Sequence, residues 1–460
     1  MKVIGLGLSL TSILLILLFL KNEFSYDRFH TNSERIYRFT VTDQSFIAGR
    51  HFARVSHAGY IPAMADYFPE IENYVRLAPI RGGVMKFNQE YMLINQAFEC
   101  DSTFFQVFHA ELLSGNPESI LNDPGSMVVS ESFARRNFGM ADPVGQVLIL
   151  PAGQFYDRDI PFTIKGIMKD FPQNSHFHPE LIATPTDKIV FDGWAWTYLL
   201  FSDHANPGNF LSGFKDFYAS HVQNNPGGSQ PEAHLQEIAA IHLHSNKLRE
   251  IEANGNMYIV YALSIAALIL VLIALANYAN LNIGMAGYSD RFLFVSKVTG
   301  SSNLMILKYF FYEGLVIIMG SVACSGMMAF IAGRIIQVNY GISLFKGSWP
   351  YILSCIALFG VLGILSGMLP LLKQATSGIT STRENKNNGS FRRKGISKGI
   401  IVVQYTISIA LIIAVLVIRR QTGYALEKSM GSGNEHLICF EDVHTHVQNK
   451  FEPFKAELLK

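Results

Sequence analysis

Apolar positions in this chain fall into two patterns. Five stretches run without any charged residue: Val3–Leu20, Met257–Asn280, Gly314–Gly333, Gly347–Leu372 and Gly399–Ile418. A helix rises about 1.5 Å per residue, so about 20 apolar residues cross the roughly 30 Å hydrocarbon core of a bilayer. Lipid offers no partner to an unpaired backbone group, so each stretch is expected to be a transmembrane helix. Charges bracket the last three: Glu313 and Arg334, Lys346 and Lys373, Lys398 and Arg419. The first has the alternative of a cleaved leader, but its apolar run is long and LLFLKNEFS offers no small-residue cleavage site.

The second pattern occupies residues 21–256, where short alternating runs are broken by turn residues. RIYRFTVT (Arg35–Thr42) alternates as a strand does, and MVVSESFARRNFG (Met127–Gly139) reads as a strand entering a short helix capped by Ser130. DPVGQVLIL (Asp142–Leu150) is a turn and a strand. PFTIKGIMKDFPQNSHF (Pro161–Phe177) is a strand ending in a Pro/Asn/Ser loop. This block is expected to be a folded α+β domain, with Asn224–Glu232 (NNPGGSQPE) as its clearest loop.

Composition sharpens the division. Charged residues make up 16% of the 460, against about 25% in soluble chains. Formal net charge is +1. It hides 18 Lys/Arg against 27 Asp/Glu in 21–256, net −9, and 19 against 9 elsewhere, net +10. The four cysteines (Cys100, Cys324, Cys355 and Cys439) form no CxxC pair and suggest neither a disulfide framework nor a zinc site. The loop 373–398 holds Lys373, Arg383, Lys386, Arg392, Arg393, Lys394 and Lys398 against Glu384 alone, which places it in the cytoplasm. Counting spans from there, 287–313 is also cytoplasmic. The 334–346 connection, the block 21–256 and the segment 419–460 lie outside.

The chain has no GxxxxGK[ST] phosphate loop, GxSxG, HExxH or GxGxxG. His176/His178 and His242/His244 would share a side on a strand, but no Cys or carboxylate stands at ligand spacing, so they read as half-buried strand or loop histidines. SYDRFH (Ser25–His30) follows the first span and reads as a membrane-proximal cap, with a charge pair stitching domain to span. The spans contain no Asp, Glu, Lys, Arg or His, which argues against an ion-driven carrier. In the 287–313 loop, Leu304, Leu307, Lys308 and Phe311 recur at helical spacing. This amphipathic piece suits either the membrane surface or a partner's groove.

The whole chain resembles the permease subunits of MacB/FtsX-type ABC transporters, and most closely the duplicated form common in Bacteroidetes. The resemblance rests on span order and on NEFSYDRFHTNSERIYR, FPEIENYVRL, TFFQVFHAELLSGNPESILNDPGSMVVSESFARRNFG, the DPVG turn, IKGIMKDFPQNSHF, IHLHS with the span after it, KVTGSSNLMILKYFFYEG, and RRKGISKGIIVVQYTISIALIIAVLVIRRQ. It implies a multi-pass α-helical membrane protein with a MacB-like periplasmic α+β core domain between the first and second spans. It also implies a bacterial inner-membrane location and a dimeric transporter. ATP hydrolysis would occur in a separate ABC ATPase, with no cofactor in this chain and no nucleic-acid partner. Besides membrane lipid, a periplasmic adaptor, a lipoprotein or another export substrate would be its outer partners.

The family's coupling segment reads like E-x-G-I-R-K-x-x-G-A. Here Lys297 and Gly300 match, while Phe292, Phe294 and Ser296 stand where Glu, Gly and Arg are expected, implying a divergent ATPase partner. Arg291, Lys297, Gly300 and Glu313 are the expected ATPase-coupling residues. The family's basic segment before the first span has no counterpart here. The duplicated form continues through a second outer domain and three more spans, whereas this chain stops 42 residues after Ile418. Against that form it reads as a truncated product, with 419–460 an incomplete second domain. A membrane-anchored sensor or scaffold with a ligand-binding outer domain, or a degenerate permease fragment, is the alternative.

Overall fold

A computed structural model of the chain describes residues 2–42, 51–152, 156–222, 231–284, 295–296, 298–376, 388–427 and 450–459. Contacts divide them into two units. One contains Met1–Asn22 and Tyr258–Leu437, and the other contains Glu23–Met257 and Ile438–Lys460.

Among the described residues, five helices are long and apolar enough to cross a membrane, with spanning segments at Lys2–Phe24, Met257–Leu281, Leu304–Asn339, Trp349–Ser366 and Ile401–Ala425. Small and hydroxylated residues let the first of them pack closely. Thr11 Oγ1 returns a hydrogen bond to the Gly7 carbonyl at 2.8 Å and meets Ser325 Oγ at 3.1 Å. A Cβ at Gly7 would sit 3.2 Å from Cys324 Cβ. Leu6, Leu10 and Ile13 pack with Ala274, Tyr278 and Phe359, while Leu14 and Leu18 pack with Ala329, Leu344 and Ile352. At the end of the first helix, Lys21 Nζ bonds Ser348 Oγ at 3.1 Å and lies over the Tyr351 ring. No described side chain of Ile401–Ala425 is buried.

Two connections differ from the sequence reading. The amphipathic piece around Leu304–Phe311 is not a separate surface helix. It is the start of one helix, Asn303–Tyr340, whose first turn is capped by Ser302 Oγ accepting from Met305 N at 3.3 Å. The basic stretch 373–398, expected to be a loop, is helical from Asn388 in a helix that runs through to Glu427, with 377–387 outside the described residues. In both, a polar segment leads straight into an apolar run, and adding one hydrogen bond per residue to an existing helix costs less than nucleating a new one.

The second unit is built on a 13-stranded sheet. Its strands are β1 (Ile36–Thr42), β2 (Val55–Ser56), β3 (Ile71–Pro79), β4 (Val84–Phe87), β5 (Glu90–Leu93), β6 (Ala97–Cys100), β7 (Leu112–Ser114), β8 (Ser126–Ser130), β9 (Val147–Leu150), β10 (Ile160–Met168), β11 (Leu181–Ala183), β12 (Trp194–Phe201) and β13 (Glu232–Glu237). They lie in the order β13-β1-β12-β3-β6-β11-β8-β10-β9-β4-β5, with β2 on β12 and β7 on β10. The β10–β8 and β11–β6 pairs are parallel, and the other pairs are antiparallel.

Side chains alternate across a strand. Trp196, Tyr198 and Leu200 of β12 therefore join one core, with Val75, Leu77, Phe98 and Phe177. Ala195, Leu199 and Phe201 join a second on the opposite face. That second core is closed by the helix Pro207–His221, which buries Phe210, Phe214 and Phe217 at helical spacing and is capped by Asn206 Oδ1 accepting from Gly208 N at 2.9 Å. The strand β8 runs into the helix Glu131–Phe138, and Ser130 Oγ accepts from Phe133 N at 3.2 Å as the sequence led one to expect. The DPVG turn leads into β9, with Val144 N donating to Asp142 Oδ1 at 3.0 Å. Most of Asn224–Glu232 lies outside the described residues.

Candidate functional site: where the chain enters and leaves the outer domain

Two of the four coupling residues expected from sequence, Arg291 and Lys297, lie outside the described residues. Gly300 has φ +88°, a backbone favourable only for glycine, and no neighbour within 4 Å of a Cβ placed there. It ends a short turn in which Thr299 N donates to Val295 O and Ser301 N to Ser296 O, both at 2.9 Å. Glu313 is half-buried within the helix Asn303–Tyr340. Ten residues of helix put it about 15 Å along the axis from Asn303, so Gly300 and Glu313 do not share one contact site.

The denser constellation is in the outer unit. The chain enters it through Glu23–His30 and leaves it through Ile238–Met257. The SYDRFH segment is pinned by Asp27, which is fully buried and has φ +58°. Its N–H donates to Asn174 O at 2.8 Å, and its Oδ1 accepts from His176 N at 3.1 Å and Ser175 Oγ at 3.2 Å. His176 Nδ1 stands 2.9 Å from the same oxygen, near enough for charge attraction without hydrogen-bond geometry. The far ring nitrogen, His176 Nε2, bonds Tyr198 OH at 2.7 Å.

Burial pushes the Asp27 carboxyl up, but the His176 imidazole and its hydrogen bonds outweigh this and hold it below the ordinary carboxylate range. His30, buried beside them, is driven down to about 3, by burial first, and is neutral at neutral pH. Asp27 Oδ2 and His30 Nε2 are buried without hydrogen-bond partners. Among the described residues, no group of three or more His, Cys, Asp or Glu side chains is arranged to hold a metal ion.

Of the SYDRFH charges, expected to stitch the domain to the span, Asp27 is instead spent within the domain. Arg28 is exposed and donates to the Phe24 carbonyl at 3.0 Å. The partner of Asp27 comes from the QNSHFH loop, 149 residues away.

The leaving segment closes over the entering one. His242 Nε2 contacts Glu23 Oε2 at 3.0 Å, and the His242 ring stacks on Tyr26. Burial, then Glu23, pushes the Tyr26 phenol up to about 12. Gly255 packs so near that a Cβ would lie 2.6 Å from His242 Nε2 and 3.0 Å from Glu23 Oε2. Glu252 takes His178 Nδ1 at 2.8 Å and Gln96 Nε2 at 2.7 Å. Glu250 and Arg38 form a buried pair, and Arg38 also donates to Gln236 and Ser245.

The reading of His242 and His244 as strand or loop histidines is thus corrected, while His176 and His178 do lie in a loop. His242 and His244 sit on a helix, Ile238–His244, where positions two apart point about 200° away from each other. His242 is buried and His244 exposed. In the QNSHFH loop, His176 turns to Asp27 and His178 to Glu252. Of these four, His176, His178 and His242 each have a carboxylate partner. Those partners are remote in sequence, so local spacing did not reveal them.

A sequence profile described as the MacB-like periplasmic core domain matches residues 2–215. Among solved structures, a domain of a permease protein from Porphyromonas gingivalis is 21% identical, with a TM-score of 0.37, over 45% of this chain and 92% of that one. The periplasmic region of MacB from Actinobacillus actinomycetemcomitans is 13% identical, with a TM-score of 0.33, over 45% of this chain and 91% of that one. The extracellular domain of the noncanonic ABC-type transporter YknZ from Gram-positive bacteria is 10% identical, with a TM-score of 0.32, over 44% and 99%. No curated protein matches the chain. Residues 2–215 thus carry a MacB-like periplasmic core domain, and the described residues include five helices long and apolar enough to cross a membrane.

Proposed function

We propose that this chain is the permease subunit of an ABC transporter in the bacterial inner membrane, passing the ATP-driven motion of a separate ATPase to its outer domain for export or envelope work. Permeases of this family partner an ABC ATPase and assemble as dimers in general. The observation that carries the reading is the junction just described. The entering and leaving segments of the core domain are tied together by Glu23, Tyr26, His242 and Gly255. A pull on either segment then acts on the sheet through β1 and β13, which flank these segments in sequence, rather than on a loose loop. On the cytoplasmic side, Arg291, Lys297, Gly300 and Glu313 would receive the motion.

The test is co-purification of the full chain with ABC ATPases, with ATP hydrolysis measured. Capture and stimulated hydrolysis are expected, and Lys297→Ala with Gly300→Leu should reduce both. Unchanged binding and hydrolysis in that variant would sink the coupling assignment. A chain that captures no ATPase yet binds an outer ligand would instead be a sensor or scaffold.

A further inference from the structure

The loop 248–252 spends its carboxylates inward, Glu250 on Arg38 and Glu252 on His178. Arg249, between them, is exposed and has φ +60°. Its carbonyl accepts a 3.0 Å hydrogen bond from Trp196 Nε1. Beside it, the Arg54 guanidinium lies over the indoles of Trp196 at 5.1 Å and Trp194 at 6.0 Å. Arg54 Nε is buried and has no hydrogen-bond partner.

The domain's two buried arginines among the described residues each meet a carboxylate, Arg38 with Glu250 and Arg76 with Asp101. Among the described residues, no carboxylate stands at ion-pair distance from Arg54 or Arg249. Burial, then the charges of Arg249 and Arg81, push the Arg54 pKa down. Neighbouring cations such as Arg54 and Arg249, with no carboxylate at hand among the described residues, repel each other, and an incoming oxyanion would relieve that cost.

We propose that Arg54 and Arg249, beside the indoles of Trp194 and Trp196, form an oxyanion-binding site on the outer domain that takes a carboxylate or phosphate group of an outer ligand. A guanidinium stacked on an aromatic ring keeps its in-plane N–H groups for bidentate bonding to two oxygens. The indoles supply an apolar wall for the rest of the molecule. The site does not depend on the ATPase reading.

Two of the chain's three tryptophans are in the site. With Trp349→Phe in the background, indole fluorescence of the full chain in detergent reports on the site alone. The probes are tri-glutamate peptide and inorganic phosphate at constant ionic strength, with tri-glutamine as the uncharged control. A saturable change is expected with at least one oxyanion and none with tri-glutamine, and the oxyanion that binds identifies the source. Arg249→Gln and Arg54→Lys should each raise the apparent Kd about tenfold. No saturable response to either oxyanion, or an unchanged Kd in Arg249→Gln, overturns the site. Because Arg249 is exposed, that variant decides the matter even where Arg54→Lys does not fold. Neither result bears on ATPase capture.

Discussion

Tyr26 and His242 lie face to face, ring centroids 3.3 Å apart and 3° from parallel. One ring belongs to the segment that leaves the first span, the other to the segment that leads to the second. Their stacking joins the two ends of a long insertion.

Gly255 makes that arrangement testable. Gly255→Ala places a methyl 2.6 Å from His242 Nε2, so it should lower stability by about 1–3 kcal/mol. That corresponds to a fall in melting temperature of roughly 2–4 °C per kcal/mol for a domain of this size. In a His242→Ala background the same substitution should cost much less. Thermal unfolding of the four variants checks this, and additive costs would show that the two residues do not interact.

Asp27 separates backbone from charge. Asn tolerates the left-handed backbone that Asp27 adopts, so Asp27→Asn removes the charge while keeping shape and conformation. Asp27→Ala also strips the acceptor from His176 N and Ser175 Oγ. Breaking a buried pair costs about 3–5 kcal/mol. Ala is expected to reach that range and Asn to cost clearly less, as read from urea midpoints. Equal costs would mean that the lost charge, common to both variants, dominates over the acceptor and the backbone preference.

The His178–Glu252 pair sets a pH window. Burial opposes protonation of His178, but Glu252 more than offsets this and raises its pKa, while His178 and Gln96 lower that of Glu252. The His178 contribution is full below its unfolded value of about 6.5 and is lost as pH rises through the raised value. The Glu252 contribution is full above its unfolded value of about 4.3 and is lost as pH falls through the lowered one. Hydrogen-exchange protection of the 172–178 and 248–255 amides should therefore be greatest between these limits. His178→Gln should flatten the alkaline limb, and an unaltered profile would exclude this pair as its cause.

Gly7 and Cys324 test the packing of the first span. A Cβ on Gly7 would lie 3.2 Å from Cys324 Cβ, close to the roughly 3.5–4.5 Å that a disulfide needs. In a chain lacking the other three cysteines, Gly7→Cys should cross-link to Cys324 under mild oxidant. Proteolysis between the two spans followed by a non-reducing gel would detect it, and fragments that stay separate would contradict the helix pairing.

The chain's own pattern determined that apolar helices cross a membrane and flank an α+β block, because length, charge bracketing and side-chain alternation are local properties. The Ser130 cap and the strand preceding it were equally legible, since a cap and its donor lie three residues apart. Where the amphipathic piece near Leu304 ends was not, because a polar stretch reads alike as a surface helix or as the first turns of a span. Only the tertiary structure decided which carboxylate meets which histidine. Asp27 finds His176 across 149 residues and Glu23 finds His242 across 219. Spacing along the chain does not record such partners. A charge is stable when buried only where an opposite group is brought to it, and the folded sheet does that here.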